Sequence, residues 1–184
     1  MFDLTGVACA DFDLSIIHQW QRERYPFLLE SVAKCTPIPG SDVNLGQFDI
    51  LFAFPQETIA LTDPEKSEDF IEQVQQQFKQ NLVSENIEFE LPFTGGWFAY
   101  FSYDYAQVIE PVLKLPKSEF PLAHLTRVPA AIVVNHQTSQ LFIVAEAEFS
   151  ELIPKIELNI QQALSEVKQE AVQKVQVVKT SEEP

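Results

Sequence analysis

The chain of 184 residues is 46% hydrophobic and 21% charged, which suits one globular domain with at most a small appendage. Its 27 acidic residues outnumber 12 thinly spread Lys and Arg, for a formal net charge of -15, and without clustered cations to displace counterions from phosphates nucleic acid is excluded as a partner. Two distant cysteines (Cys9, Cys35) and three scattered histidines (His18, His124, His136) lack metal-ligand spacing, and no apolar run approaches the ~20 residues of a membrane helix.

Met1 to Asp13 carries acids and no basic segment, so the chain reads as cytoplasmic, with both thiols reduced. A short helix is expected over 13–25: Leu14, Ile17 and Trp20 share a stripe, Asp13 caps its start and Pro26 stops it. Residues 27–33 read as a strand, and 36–46, rich in Pro and Gly, as a loop. Residues 48–54 and 58–62 read as two strands joined by Pro55-Gln56-Glu57, which suggests an antiparallel hairpin.

Asp63-Pro64 opens a second helix, with Phe70, Ile71, Val74, Phe78 and Leu82 on its apolar face and a polar loop over 84–90 after it. Gly95-Gly96 leads into Trp97 to Tyr103, apolar or aromatic on both alternating faces, which reads as a strand enclosed on both sides. Asp104 is placed to cap a short helix that Pro111 ends, and 112–127 shows no clear period and reads as irregular. Residues 129–135 and 140–146 form another hairpin around His136 to Ser139. A helix begins near Pro154, with Ile156, Ile160, Leu164 and Val167 on one stripe, and 168–184 turns polar like a linker. The fold reading is α+β: mainly antiparallel sheet with packed helices.

The residues alone point to no chemistry. No Gly-x-Ser-x-Gly or P-loop pattern occurs, and the abundant carboxylates cannot be paired into a general acid and base, so no catalytic residue is expected here. Taken structurally, residues 91–110 are a tight turn, a buried strand and a cap, and Glu30 and Ser31 are a strand end whose polar group satisfies the backbone.

Four stretches, in order, nevertheless resemble one family. Gly95-Gly96 with Tyr100, Tyr103 and Asp104 resembles the GG-x-x-G-Y-x-x-Y-D signature of the N-terminal domain of anthranilate synthase component I and aminodeoxychorismate synthase component I; Ala99 replaces the usual glycine. Leu28-Leu29-Glu30-Ser31 resembles their LLES motif, and Phe48 to Pro55 their FDI-x-x-A-x-P strand, in a form more typical of the aminodeoxychorismate branch. Ala131 to His136 resembles a strand that normally ends in Asp-His, with Asn135 in place of the Asp.

The resemblance implies an anthranilate synthase component I N-terminal-like domain over 1–170, then a linker over 171–184 to a chorismate-binding domain expected beyond this chain. That second domain would hold Mg²⁺ and the reactive groups, and a glutamine amidotransferase subunit (component II) would supply ammonia. The enzyme would make 4-amino-4-deoxychorismate for p-aminobenzoate and folate, or, in the anthranilate branch, anthranilate for tryptophan. The resemblance also implies half of a tryptophan site at Leu29, Glu30, Ser31, Leu45, Gly46, Gln47 and Phe48. The family's Arg and Tyr are missing from the second segment, and Gln47 can hydrogen-bond but cannot pair charge. Two other readings stay open: a free-standing aromatic amino-acid-binding module, and a scaffold that docks a catalytic domain. A docking surface would be more apolar than ordinary surface, so the isolated chain is expected to self-associate.

Overall fold

The computed structural model describes residues 13–33, 36–40, 44–80, 91–110, 112–116 and 119–180. In chain order the elements are α1 (Leu14–Trp20), β1 (Phe27–Leu29), β2 (Thr36–Pro37), β3 (Asn44–Leu45), β4 (Phe48–Ala53), β5 (Thr58–Leu61), α2 (Ser67–Gln80), β6 (Gly96–Phe101), α3 (Ala106–Ile109), β7 (Ala123–Val128), β8 (Ala130–Asn135), β9 (Gln140–Ala145) and α4 (Leu152–Thr180). All strand pairs among the described residues are antiparallel, as expected for an α+β fold. The expected single domain consists of two compact units. One draws on the described residues of 1–54, 92–95 and 129–184, the other on those of 55–91 and 96–128.

The first unit carries a four-stranded sheet in the order β1-β4-β8-β9 and a small β2-β3 ribbon inside the segment expected to be a loop. β8 is buried along nearly its whole length, because the run Ala-Ala-Ile-Val-Val offers apolar side chains to both faces. Leu51, Ala53, Ile132 and Val134 on one face pack with Leu14 and Ile17 of α1 and with Ile156, Ile160 and Ala163 of α4. Each large side chain enclosed there contributes roughly 1.5–3 kcal/mol. Asp13 caps α1, its Oδ1 accepting the Ser15 N–H at 2.8 Å. After α1, His18 Nδ1–H donates to the Tyr25 carbonyl at 2.6 Å. The buried Tyr25 hydroxyl accepts from Asn159 Nδ2 (2.8 Å), and Asn159 Oδ1 accepts from Arg24 Nη1 (3.2 Å), which ties the α1–β1 connection to α4.

The hairpin expected at Asn135–Gln140 is present: Asn135 Oδ1 accepts the N–H groups of Gln137 and Thr138, an Asx turn. The hairpin expected between 48–54 and 58–62 is not. β4 pairs with β1 and β8, and β5 pairs with β7. Phe54, at φ +57°, leaves the extended conformation, and its N–H goes to the Arg24 carbonyl instead of continuing a ladder. α4 runs on through Thr180, so the stretch read as a linker is helical over its described residues.

The second unit is a three-stranded sheet, β5-β7-β6, with α2 packed on it. Its core is Ile59, Leu61, Phe70, Leu122, Ala123 and Leu125, joined by Val74 and Trp97. Asp63 caps the entry to α2 through a single 3-10 turn, Pro64–Lys66, as its side chain accepts the Glu65 N–H at 3.1 Å. Residue 82 and the loop expected over 84–90 lie outside the described residues, as do both cysteines.

Three expectations fail in this unit. The segment 112–127 was read as irregular, yet its end forms β7, the central strand. Conversely, β6 reads as enclosed in the sequence, and among the described residues it lies at the edge of its sheet. It pairs only with β7 among the described residues, and Tyr100 is 41% and Phe101 52% exposed. The aromatic run is amphipathic only in context: Trp97 stacks on Phe78 at 5.7 Å with the Arg127 guanidinium 5.9 Å away, while the strand's far end faces outward. Asp104 does not act as the cap either. Ser102 precedes the 3-10 turn Tyr103–Tyr105, and Asp104 sits inside it.

Candidate functional site

The seven residues expected to form a ligand site lie at one end of the four-stranded sheet. Leu29 ends β1 opposite Ile50, and Glu30 and Ser31 follow it. Leu45 ends β3, Gly46 turns the chain with φ +65°, and Gln47 leads into Phe48, the first residue of β4. Leu29, Glu30 and Leu45 are exposed, whereas Ser31, Gly46, Gln47 and Phe48 are partly buried.

The group that joins these two segments was missed in the sequence. Asp49 is the second residue of β4, on the same face as Leu51 and Ala53, and only 2% exposed. Its Oδ1 accepts the Ser31 N–H at 3.2 Å, and its Oδ2 is 2.6 Å from His136 Nε2, just beyond β8. Because a carboxylate only accepts, that imidazole nitrogen carries the hydrogen. The His136 main-chain N–H, extending the β4–β8 ladder, donates to the Gln47 carbonyl at 2.9 Å. Ser31, the Asp49 side chain and the His136 ring thus form one hydrogen-bonded network, and the His136 backbone brings Gln47 beside it. The Ser31 hydroxyl accepts the Ala33 N–H at 3.2 Å, so it also serves the strand-end role that the structural reading assigns it. The available signal was an Asp inside an otherwise apolar strand, since a charge buried there requires partners.

The paired glycines of the distinctive segment take φ +137° (Gly95) and +146° (Gly96). At Gly95 a Cβ would meet the Glu146 side chain, a flexible group able to shift, so the constraint on this glycine comes first from its φ. Among the described residues no three His, Cys, Asp or Glu side chains cluster as they would to hold a metal ion. No helix among them is long and apolar enough to cross a membrane. In the second unit a half-open groove of about 860 Å³, lined by Thr62, Asp63, Glu65, Gln107, Lys114 and Leu122 among others, holds none of the predicted residues.

These features define a mixed α/β protein whose polar focus is a carboxylate–imidazole pair at the end of an antiparallel sheet. The sequence profile of the chorismate binding enzymes matches residues 25–183, and the chain belongs to that family. It is 29% identical over 119 residues to an anthranilate synthase component I-like protein of Synechocystis sp., a match covering 63% of this chain and 24% of that one. Among solved structures it is similar to anthranilate synthase component I from Streptococcus pneumoniae TIGR4, with 18% identity and a TM-score of 0.46, covering 91% of this chain and 37% of that one. The chain therefore spans about a quarter of the curated relative's length and just over a third of the solved chain's.

Proposed function

We propose that this chain is the N-terminal, non-catalytic domain of an aminodeoxychorismate synthase component I. The observation that carries the N-terminal reading is the set of four motif stretches in order between Leu28 and His136; the match over residues 25–183 supports the wider family of chorismate binding enzymes. The form of the Phe48-Asp49-Ile50 strand supports the aminodeoxychorismate branch. In the whole enzyme, cytoplasmic in this reading, ammonia from a glutamine amidotransferase subunit replaces the 4-hydroxyl of chorismate. The chorismate pocket and Mg²⁺ belong to a second domain, and the present chain is the body that domain packs on.

The experiment is to supply the full gene product with chorismate, ammonia and Mg²⁺ and to separate the products by chromatography. 4-Amino-4-deoxychorismate is the expected product, and the 184-residue chain alone gives no turnover. The name of the Synechocystis relative favours a second reading, in which the product is anthranilate. Anthranilate would replace the first reading with the second, and formation of neither compound would overturn both.

The strand-end residues Leu29, Glu30, Ser31, Leu45, Gly46, Gln47 and Phe48 form, in this proposal, one wall of a site for tryptophan. The hydrogen bonds that hold Ser31 at Asp49 and Gln47 at His136 support it. With Gln47 in place of a cation, binding by this chain alone is weak or nil. Calorimetry with L-tryptophan tests this, and a tight complex would favour a free-standing binding module.

A further inference from the structure

The ligand wall proposed above is assembled from two segments that are far apart along the chain, 29–31 and 45–48. The Ser31 N–H is held by the Asp49 side chain, whose other oxygen faces the His136 ring, and the Gln47 carbonyl is held by the His136 main-chain N–H. That pair is expensive to bury, since the Asp49 side chain is 3% and the His136 side chain 9% exposed. A buried carboxylate is costly unless hydrogen bonds satisfy it. The row it interrupts, Asp49, Leu51 and Ala53, is otherwise apolar and well packed, so a hydrophobic residue at 49 suits the core. What an apolar residue at 49 cannot do is accept the Ser31 N–H. Asp49 does so through Oδ1 while its Oδ2 is held by the His136 ring; the Gln47 carbonyl is met by the His136 main-chain N–H, which any residue but proline at 136 would leave in place. Gly46 completes the arrangement, its left-handed turn carrying the Gln47 carbonyl toward β8.

We propose that Asp49 and His136 are positioning residues: the His136 ring holds the Asp49 carboxylate so that it fixes the Ser31 N–H at the end of β1, beside the turn that leads through Gln47 into β4. The inference rests on the ligand-wall reading for its purpose, though not for its test.

The test is amide hydrogen exchange on the 184-residue chain and its His136→Ala and His136→Gln variants, each with and without L-tryptophan. His136→Ala is expected to speed exchange at Ser31 by about tenfold, the effect of losing one hydrogen bond to the Asp49 carboxylate. Val133 and Ile132, in the middle of β8, change less than about twofold, as expected for an opening confined to the strand ends. His136→Gln, which still presents an N–H to Asp49, restores protection at Ser31. The proposal is overturned if Ser31 exchanges unchanged in His136→Ala, if the whole sheet speeds up together, or if Gln fails to restore what Ala removes. The tryptophan arm reports on the ligand alone. Protection of 29–31 and 45–48 by tryptophan, lost in His136→Ala, supports both readings, whereas no protection in the unmodified chain counts against tryptophan and leaves the exchange comparison to decide the lock.

Discussion

Asp49 stands where the alternation of β4 calls for an apolar side chain, and its two acceptor oxygens explain why the position tolerates a charge. Tyr25 presents the opposite case, a neutral group kept neutral. Burial pushes its hydroxyl pKa above the ordinary 10.0, against weaker downward pulls from the Asn159 hydrogen bond and from Arg24. A pKa raised in the fold means stability is intact below pH 10.0 and is lost as pH climbs through the raised value. Urea unfolding followed from neutral to strongly alkaline pH should show that loss. Tyr25→Phe should shrink the alkaline slope while costing about 1–3 kcal/mol at neutral pH, because the Asn159 amide loses its buried acceptor. Gly95 is constrained first by φ +137° and then by the flexible Glu146 side chain lying where a Cβ would go. Gly95→Ala should destabilise by about 1–3 kcal/mol in the same assay. Adding Glu146→Ala should recover part of that loss, and full recovery would mean that the backbone angle contributes nothing. The glycine pair was legible in the sequence, but its contact with Glu146, fifty-one positions away, was not.

At the scale of elements, the local signals that held were those that a segment satisfies by itself. Asp13 and Asp63 cap the helices they were expected to cap, and the stripe Ile156, Ile160 and Leu164 turns toward the core. The same stripe sorts its members by depth. Ile160 is 1% exposed and Val167 44% exposed. Ile160→Ala should lower the unfolding free energy by about 2–5 kcal/mol, and Val167→Ala by no more than about 0.5 kcal/mol, by chemical denaturation. Comparable losses at both sites would show that the outer part of α4 is covered. The elements that failed are those whose character comes from a neighbour. β7 hides behind prolines, and its polar Thr126 and Arg127 are buried only because strands lie on both sides: Thr58 meets the Thr126 hydroxyl at 2.8 Å, and Arg127 Nη1 reaches the Gly96 carbonyl at 2.9 Å. β6, with its run of aromatics, reads as central, and among the described residues it pairs with β7 on one side only.

For the whole molecule, the chain leaves and re-enters each compact unit, so neither is a continuous stretch that composition or linker signals can delimit. The second unit exposes Phe101, Tyr103, Ile109, Phe120 and Val112, at 52–89% of their surface. Contiguous apolar surface drives association. Sedimentation velocity across a range of protein concentrations should therefore show reversible self-association, weakened by Phe101→Ser and Tyr103→Ser together; a concentration-independent monomer would remove that expectation.

What the sequence determined by itself were the properties set by short-range chemistry: helix caps and stripes, the strand around Phe48 to Ala53, the β8–β9 hairpin, the glycine pair and the family motifs. Each depends on residues within a few positions of one another, where propensity, periodicity and turn stereochemistry act directly. Only the tertiary structure decided which strands pair, which aromatic faces are covered, and that Asp49, His136, Ser31 and Gln47 meet. Those outcomes depend on contacts between segments tens of residues apart, and whether a given charge or aromatic ring is stable at its position is a property of what the fold brings against it.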